Sequence, residues 1–408
     1  MRGGTVAVIG GSIAGCAVAT AVARAGAGQV TVLERTRGRL ADRGVGLCVH
    51  DERAVELRAS GALPDGIASH PLRRRRWVVR DDAEGAGGRL IWQQPFPFHS
   101  YHWGLLWRGL RESVPDTVVY RQGETVTAVE AADEGDDRAR VRLVDGSVAG
   151  YDLVVGADGY RSVVRAALCA DARPHYAGYV CWRGNVDAAR LDELGGLGDQ
   201  VPEAVTTVCF PGGSCVVYRI PGPGGPRVNW VLYAAPPHDG RLRLDDPTSF
   251  PPGALTPELA EHLGALLERE FPPYWRRALA LTDPADTFVQ PIYDLEPART
   301  AGGRLLLTGD AASVVRPHNT SGAAKALQDA TALADCWRRS ESFEELLDGY
   351  HRARGAAGRE LVALARRLGR AQVERTPAWA GMDGDGMAAW WQGQLDGAPG
   401  IGGRAMAP

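Results

Sequence analysis

Residues 303–333 read GRLLLTGDAASVVRPHNTSGAAKALQDATAL, and the fold is decided here. Leu305 to Leu307 is a short apolar run of the kind a fully buried parallel strand shows, and Gly309 lets the backbone turn sharply where that strand ends. Asp310 then projects from the carboxyl end of a sheet, where open α/β folds bind ligands. Pro317 stiffens the loop, and the Ala-rich segment from Gly322 to Leu333 is a strong helix former. The start of that helix offers free N–H groups and the positive end of a dipole to whatever the loop holds. Taken alone, Gly309 to Ala312 would also fit an ordinary Asp-capped turn before a helix.

Two further stretches repeat the strand–turn–helix pattern. Thr5 to Ile9 reads as a buried strand, Gly10 to Gly15 as a tight turn, residues 14–25 as a helix ending near Gly26, and residues 29–33 as a second strand ending in Glu34. Glu34 stands 24 residues after Gly10, which suits a dinucleotide fingerprint: a pyrophosphate on the helix N-terminus and a ribose hydroxyl on the carboxylate. Ser12 holds the middle glycine position of that fingerprint and is small enough to let a phosphate approach. The second stretch, YDLVVGADGYRSVVR over residues 151–165, delivers Gly156, Asp158 and Gly159 to the end of another buried strand. Asp158 and the arginines beside it also fit a purely structural strand-to-helix link.

Composition bounds the remainder. The chain has 408 residues, 45% hydrophobic and 23% charged, with a net charge of −3. That is ordinary for a globular enzyme of two domains or one large discontinuous one, and it carries no basic nucleic-acid footprint. The seven cysteines are scattered, odd in number and form no CxxC pair, so a reducing cytoplasm is expected, with neither disulfides nor a metal site. Residues 6–23 are nearly uncharged, but Gly10, Gly11, Ser12 and Gly15 break any membrane reading, and no membrane span is expected.

Together the three stretches resemble the FAD-dependent aromatic hydroxylases, the single-component flavoprotein monooxygenases of the p-hydroxybenzoate hydroxylase fold. Gly309, Asp310, Ala311 and Ala312 match their GDAA core, Asp158 and Gly159 their DG motif, and Gly10, Ser12, Ala14 and Gly15 a GxSxAG variant of their fingerprint. YAGYVCWRG, QPIYDLEP and RPHNTSGAAKA are most similar to the 2,6-dihydroxypyridine 3-hydroxylase branch. The resemblance implies an α/β fold: a Rossmann-like FAD-binding domain (1–173 and 284–375), an inserted antiparallel-sheet substrate domain (174–283, joined by 72–97), and a tail (376–408). It implies FAD as cofactor and NADPH or NADH as transient co-substrate, because only one dinucleotide fingerprint is visible. FAD contacts carry over to Gly10, Ser12, Ala14, Gly15, Glu34, Arg35, Arg43, Arg108, Val126, Asp158, Asp310, Thr320, Ser321, Gly322 and Ala323. Two departures stand out: Ser313 where a histidine is usual after GDAA, and Thr320-Ser321-Gly322 where the family has GQG.

The activity so implied is hydroxylation of an electron-rich aromatic or heteroaromatic ring with O2 through a flavin C4a-hydroperoxide. Pro317 would lie beside the flavin ring, and His318, His99, His102 and Tyr293 are candidates for the base, none singled out by sequence. Epoxidation, N-oxidation or prenyl-chain reduction on the same fold, or a flavin binder that no longer turns over, stay open. The expected partners are a small aromatic substrate and O2, with no nucleic acid, and the chain is expected as a monomer or homodimer. Between residues 174 and 281, short strands punctuated by Gly/Pro turns predict an antiparallel sheet. In it Val216, Tyr218 and Ile220 share one face, and Val228, Trp230 and Leu232 share a face of the next strand. Residues 118–129 and 139–148 read as a hairpin, and the tail as loosely held, although Trp390 and Trp391 point to some packing.

Overall fold

The structure is a computed structural model that describes residues 3–38, 45–132, 137–195, 203–237, 242–245, 251, 253–296, 298–398 and 400–403. Arg43 lies outside the described residues. Three sheets organise the chain. The first has six strands in the order Ala301–Gly302, Leu305–Leu307, Leu153–Gly156, Thr5–Ile9, Gln29–Glu34 and Val118–Gln122, all parallel except the first pair. Val6, Ala7, Val8, Val154, Leu306 and Leu307 have no exposed surface. Such unbroken apolar runs are what a parallel sheet covered on both faces requires. The helices Ile13–Ala25 and Gly322–Arg339 pack together against it, which brings the fingerprint turn and the GD loop to the same end of the sheet.

The second sheet has eight strands in the order Phe288–Asp294, His175–Asp187, Arg227–Ala234, Gly213–Ile220, Ala204–Phe210, His70–Val79, Arg89–His102 and Gly46–His50. Only Ala204–Phe210 with His70–Val79 is parallel. Its register decides which of the two alternating sets faces a cavity. Val217 faces Trp230, and Cys215 faces Leu232; these four are buried against the helices Pro257–Glu270 and Pro273–Ala280. The opposite face carries Val216, Tyr218, Val231 and Tyr233. So of the two alternating sets read from the sequence, Val216 and Tyr218 face a cavity, while Val228, Trp230 and Leu232 form the other side's core.

Residues 118–129 do not make one hairpin strand. Gly123 at φ 83° breaks the run: Val118–Gln122 extends the parallel sheet, and Val126–Glu130 pairs with Ala139–Leu143 in a separate three-stranded sheet with Val148–Tyr151. Residues 376–398 are also docked. The helix Gly384–Leu395 carries Trp390 and Trp391 into a cluster with Trp77, Trp92 and Trp379, with ring centroids 5.0 to 6.4 Å apart. Offset and edge-on aromatic packing of this size anchors a segment that local propensity leaves weak. Among the described residues, no helix is long and apolar enough to cross a membrane, and no group of His, Cys, Asp and Glu could hold a metal ion.

Candidate active site

A cavity of about 390 Å³ runs from the end of the parallel sheet to the inner face of the eight-stranded one. Its outer part is lined by Ser12, Ile13, Ala14, Ala157, Gly159, Gly309 and Asp310, and its neck by Pro317, His318, Thr320, Ser321, Gly322 and Ala323. Its inner part is lined by Cys48, Arg75, Phe96, Arg183, Val205, Val216, Tyr218, Val231, Tyr233 and Gln372.

At the outer end the backbone is held open for a ligand. Gly15 packs so closely under the first turn that a Cβ there would lie 1.8 Å from the Gly10 carbonyl oxygen. Ser12 caps the Ile13–Ala25 helix in extended geometry without a side-chain hydrogen bond to it, so the first-turn N–H groups keep no intramolecular cap. Gly10 is tied to the next strand by its N–H to the Leu33 carbonyl, 2.8 Å. Glu34 is 6% exposed, and its two oxygens accept from the N–H groups of Gly11 and Thr36 at 2.7 Å each. Each carboxylate oxygen keeps a second lone pair for a further donor.

The GD loop rests on a buried charge network that the sequence reading missed. Asp329, 2% exposed, accepts from the Gly309 N–H at 2.9 Å, from Lys325 Nζ at 3.2 Å and from Arg354 Nε at 2.6 Å. Lys325 Nζ also donates to the Gly309 carbonyl at 2.7 Å. Both ends of the Gly309 residue are therefore clamped. Its φ of 56° suits glycine, and a Cβ would come within 2.9 Å of Ala14. Lys325 is the chain's single lysine among 46 basic residues; that imbalance is the signal that could have found it. Asp310, next along, faces the cavity. Burial raises its carboxyl above the ordinary value, against the pull of Lys325 and Arg165.

The DG loop is stapled to the GD loop rather than left free. Arg165 donates to the carbonyls of Tyr160, Ala311 and Gly159, and Asp158 Oδ2 accepts from the Val163 N–H at 2.7 Å. Asp158 Oδ1 is buried without a partner. At the neck, Thr320 adopts a left-handed conformation, φ 53°, and its hydroxyl is buried and unpaired. A β-branched residue pays for that conformation, and such strain gathers at ligand sites. No side chain caps the Gly322–Arg339 helix that follows, so its first N–H groups open on the cavity.

His318 lines the neck, with Nε2 2.8 Å from the Tyr179 hydroxyl and its ring 4.2 Å from that of Tyr233. Burial, and then the charges of Arg316 and Arg75, push its pKa down to about 3, which keeps the imidazole neutral. The other candidates lie elsewhere. His99 is tied to Asp51 at 2.7 Å, and Tyr293 donates to the Leu244 carbonyl beside Tyr160 and Tyr176. Neither lines the cavity. His102 caps the Trp103–Glu112 helix. Arg35 and Arg108 are exposed, and Val126 sits in the three-stranded sheet; none of the three lines the cavity.

The orphaned Thr320 hydroxyl, the two uncapped helix N-termini and the Gly15 close approach fit a long ligand with a phosphate end and a polar ring end. FAD is such a ligand. Comparison with known proteins agrees. Residues 295–365 match the family described as FAD binding domain. The chain is 29% identical over 356 residues to the 2,6-dihydroxypyridine 3-monooxygenase of Paenarthrobacter nicotinovorans, covering 85% of each chain. It is 31% identical over 348 residues to a 3-amino-4-hydroxybenzoate 2-monooxygenase of Streptomyces platensis, covering 81% of this chain and 78% of that one. Its fold superposes on the solved 2,6-dihydroxypyridine-3-hydroxylase of Arthrobacter nicotinovorans with a TM-score of 0.79 and 26% identity, over 93% of this chain and 96% of that one.

Proposed function

This chain belongs to the FAD-dependent aromatic hydroxylases, and from that premise we propose how its residues divide the work of hydroxylating an electron-rich aromatic or heteroaromatic ring with NAD(P)H and O2. The observation that carries the reading is the single cavity joining the fingerprint turn, the GD loop and the inner face of the eight-stranded sheet. The chemistry that FAD supplies when bound is two-electron reduction by a nicotinamide and activation of dioxygen.

The turn from Gly10 through Ser12 and Ala14 to Gly15 would hold the pyrophosphate at the helix N-terminus, and Glu34 would accept a ribose hydroxyl. Asp310 would bind the ribityl chain. The N–H groups at Gly322 and Ala323, at the uncapped start of the helix, would stabilise negative charge on the ring without reorganising, while the Ser321 N–H is held by Asn319 Oδ1. Pro317 stiffens the loop at the cavity neck and would lie beside the ring. The substrate ring would lie on Val216 and Val231, walled by Phe96, Tyr218 and Tyr233, where apolar walls exclude water from the reacting carbon. His318, held neutral, serves as a hydrogen-bonding group that orients a ring hydroxyl through its link to Tyr179, not as the store for the hydroxyl's proton. All seven cysteines are free, which supports a cytoplasmic setting, and a monomer or homodimer remains the assembly we propose.

The test is consumption of NAD(P)H by the purified holoprotein with a panel of hydroxylated rings under ¹⁸O2. Ring-stimulated consumption with one labelled oxygen in the product supports the reading. Unstimulated consumption for every ring, with no labelled product, would leave only a flavin binder.

A further inference from the structure

The helix Phe343–Gly369 ends by widening into a single π turn over Arg370–Glu374. The turn is closed by the Arg375 N–H on the Arg370 carbonyl, five residues back, at 2.7 Å. Such turns are rare and gather at functional sites. Here Ala371, Gln372 and Val373 are buried in succession, where the stripe of an amphipathic α-helix would bury residues three or four apart. Val373 packs with Val231 and Tyr233, which wall the ring pocket, and Glu374 accepts from Arg316 Nη1 at 2.8 Å. The turn is thus fixed against the pocket wall, beyond residues 295–365 that match the FAD-binding family.

Among the described residues, the side-chain amide nitrogens of Gln94, Asn229 and Gln372 are buried without a hydrogen-bond partner. Of these three, only Gln372 lines the cavity. Arg75 fixes the orientation of its amide. The Arg75 Nη2 lies 3.4 Å from Gln372 Oε1, and a guanidinium carries donors but no acceptor, so the amide must turn its oxygen toward it. Nε2 and its two N–H bonds are left pointing elsewhere. The Arg75 charge also polarises the amide, which strengthens those donors. Gln372 is 1% exposed, and a desolvated donor left unpaired is a cost that an acceptor on an incoming ligand removes.

We propose that Gln372 is a specificity-determining residue: its Nε2 donates to a neutral hydrogen-bond acceptor on the substrate, either a ring nitrogen or a carbonyl oxygen. This rests on the assignment of the cavity as the ring site. A ring with a C–H edge at that point leaves the donor orphaned, whereas an acceptor satisfies it, so the pocket discriminates by pairing more than by shape. His318 orients the ring hydroxyl from the neck. Together the two groups hold the ring at two points, which selects the carbon presented for reaction.

The experiment uses the FAD-loaded protein, with dissociation constants read from perturbation of the flavin spectrum. One arm compares a hydroxypyridine with the phenol that has C–H in place of the ring nitrogen. The other compares a hydroxyphenyl ketone with the alkene that has CH2 in place of the carbonyl oxygen. We expect the acceptor-bearing member to bind about 5- to 100-fold more tightly in at least one arm, and that arm names the acceptor. In Gln372→Met, which keeps the bulk and loses the donor, the ratio should fall within about twofold of unity. Gln372→Glu keeps an oxygen for Arg75 but puts a second acceptor where Nε2 stood, so the ratio should invert. A residue that merely buttressed Arg75 would leave the ratio unchanged in Gln372→Glu. A ratio of constants within one protein does not depend on the fraction of it that is folded. Equal binding of both members by wild type in both arms, or a ratio unchanged in either variant, overturns the role of Gln372 while the hydroxylase reading stands. If no hydroxylated ring perturbs the flavin or stimulates NAD(P)H oxidation, the hydroxylase reading fails and this role with it.

Discussion

Replacing Asp329 by alanine removes the one carboxylate under the GD loop and leaves Lys325 and Arg354 buried without it. Lys325 is 1% exposed and the Arg354 side chain 12%. Breaking a buried pair by deleting one partner costs about 3–5 kcal/mol, because the surviving charge stays desolvated. That corresponds to roughly two to nearly four orders of magnitude in the folding equilibrium. The Gly309 N–H loses its acceptor as well, so FAD affinity should fall with stability. Chemical denaturation followed by tryptophan fluorescence, with FAD release read in parallel, measures both. Burial raises the Asp329 carboxyl, but Lys325, Arg354 and the Gly309 N–H together hold it below its ordinary value. A depressed acid contributes stability above its unfolded pKa and loses that contribution as the pH falls through its folded one. The gap between wild type and Asp329→Ala should therefore close on acidification below the carboxylate range. Removing both charges in Lys325→Met/Asp329→Leu should cost at least about 1 kcal/mol less than the sum of the single changes. A loss under about 1 kcal/mol in Asp329→Ala, with additive behaviour in the double variant, would refute the clamp.

Gly15→Ala places a Cβ 1.8 Å from the Gly10 carbonyl and should abolish retention of FAD through purification, whereas a full complement of FAD would contradict the fingerprint's role. His318 titrates near 3 in the fold against about 6.5 unfolded, so the unfolded chain binds the extra proton between those values. Its contribution should fall by up to about 1.4 kcal/mol per pH unit as the pH drops from 6.5 toward 3. Denaturation of His318→Gln across that range should show a shallower slope than wild type. Trp391→Ala, at a side chain 1% exposed, should cost about 3–5 kcal/mol by core truncation. It should also free residues 384–395, as limited proteolysis would report.

The three strand–turn–helix stretches were legible because each obeys local rules: an apolar run, a glycine at the turn, a strong helix former after it. That was enough to place Gly10, Asp158 and Asp310 at one sheet end. What stayed hidden depends on pairing across the chain. Val216 and Trp230 alternate identically in their strands, and only the register and the helices 257–280 decide which lines a cavity. His99 and His318 are equivalent as letters; the partner Asp51 takes one away, and Tyr179 with Arg316 fixes the other in the neck. Asp329 and Arg354 lie in ordinary helical sequence, and their meeting under Gly309 follows from helix packing. Trp379, Trp390 and Trp391 dock on Trp77, some three hundred residues earlier, beyond the reach of propensity.

The most direct measurement is the visible spectrum of the purified protein, with its released cofactor identified, before and after anaerobic addition of NAD(P)H in the presence of a hydroxylated ring. The expected result is stoichiometric FAD whose bleaching one class of ring accelerates. A colourless protein that cannot be reconstituted with FAD would contradict the assignment of the Gly10 turn, the Asp158 loop and the Asp310 loop to one flavin site.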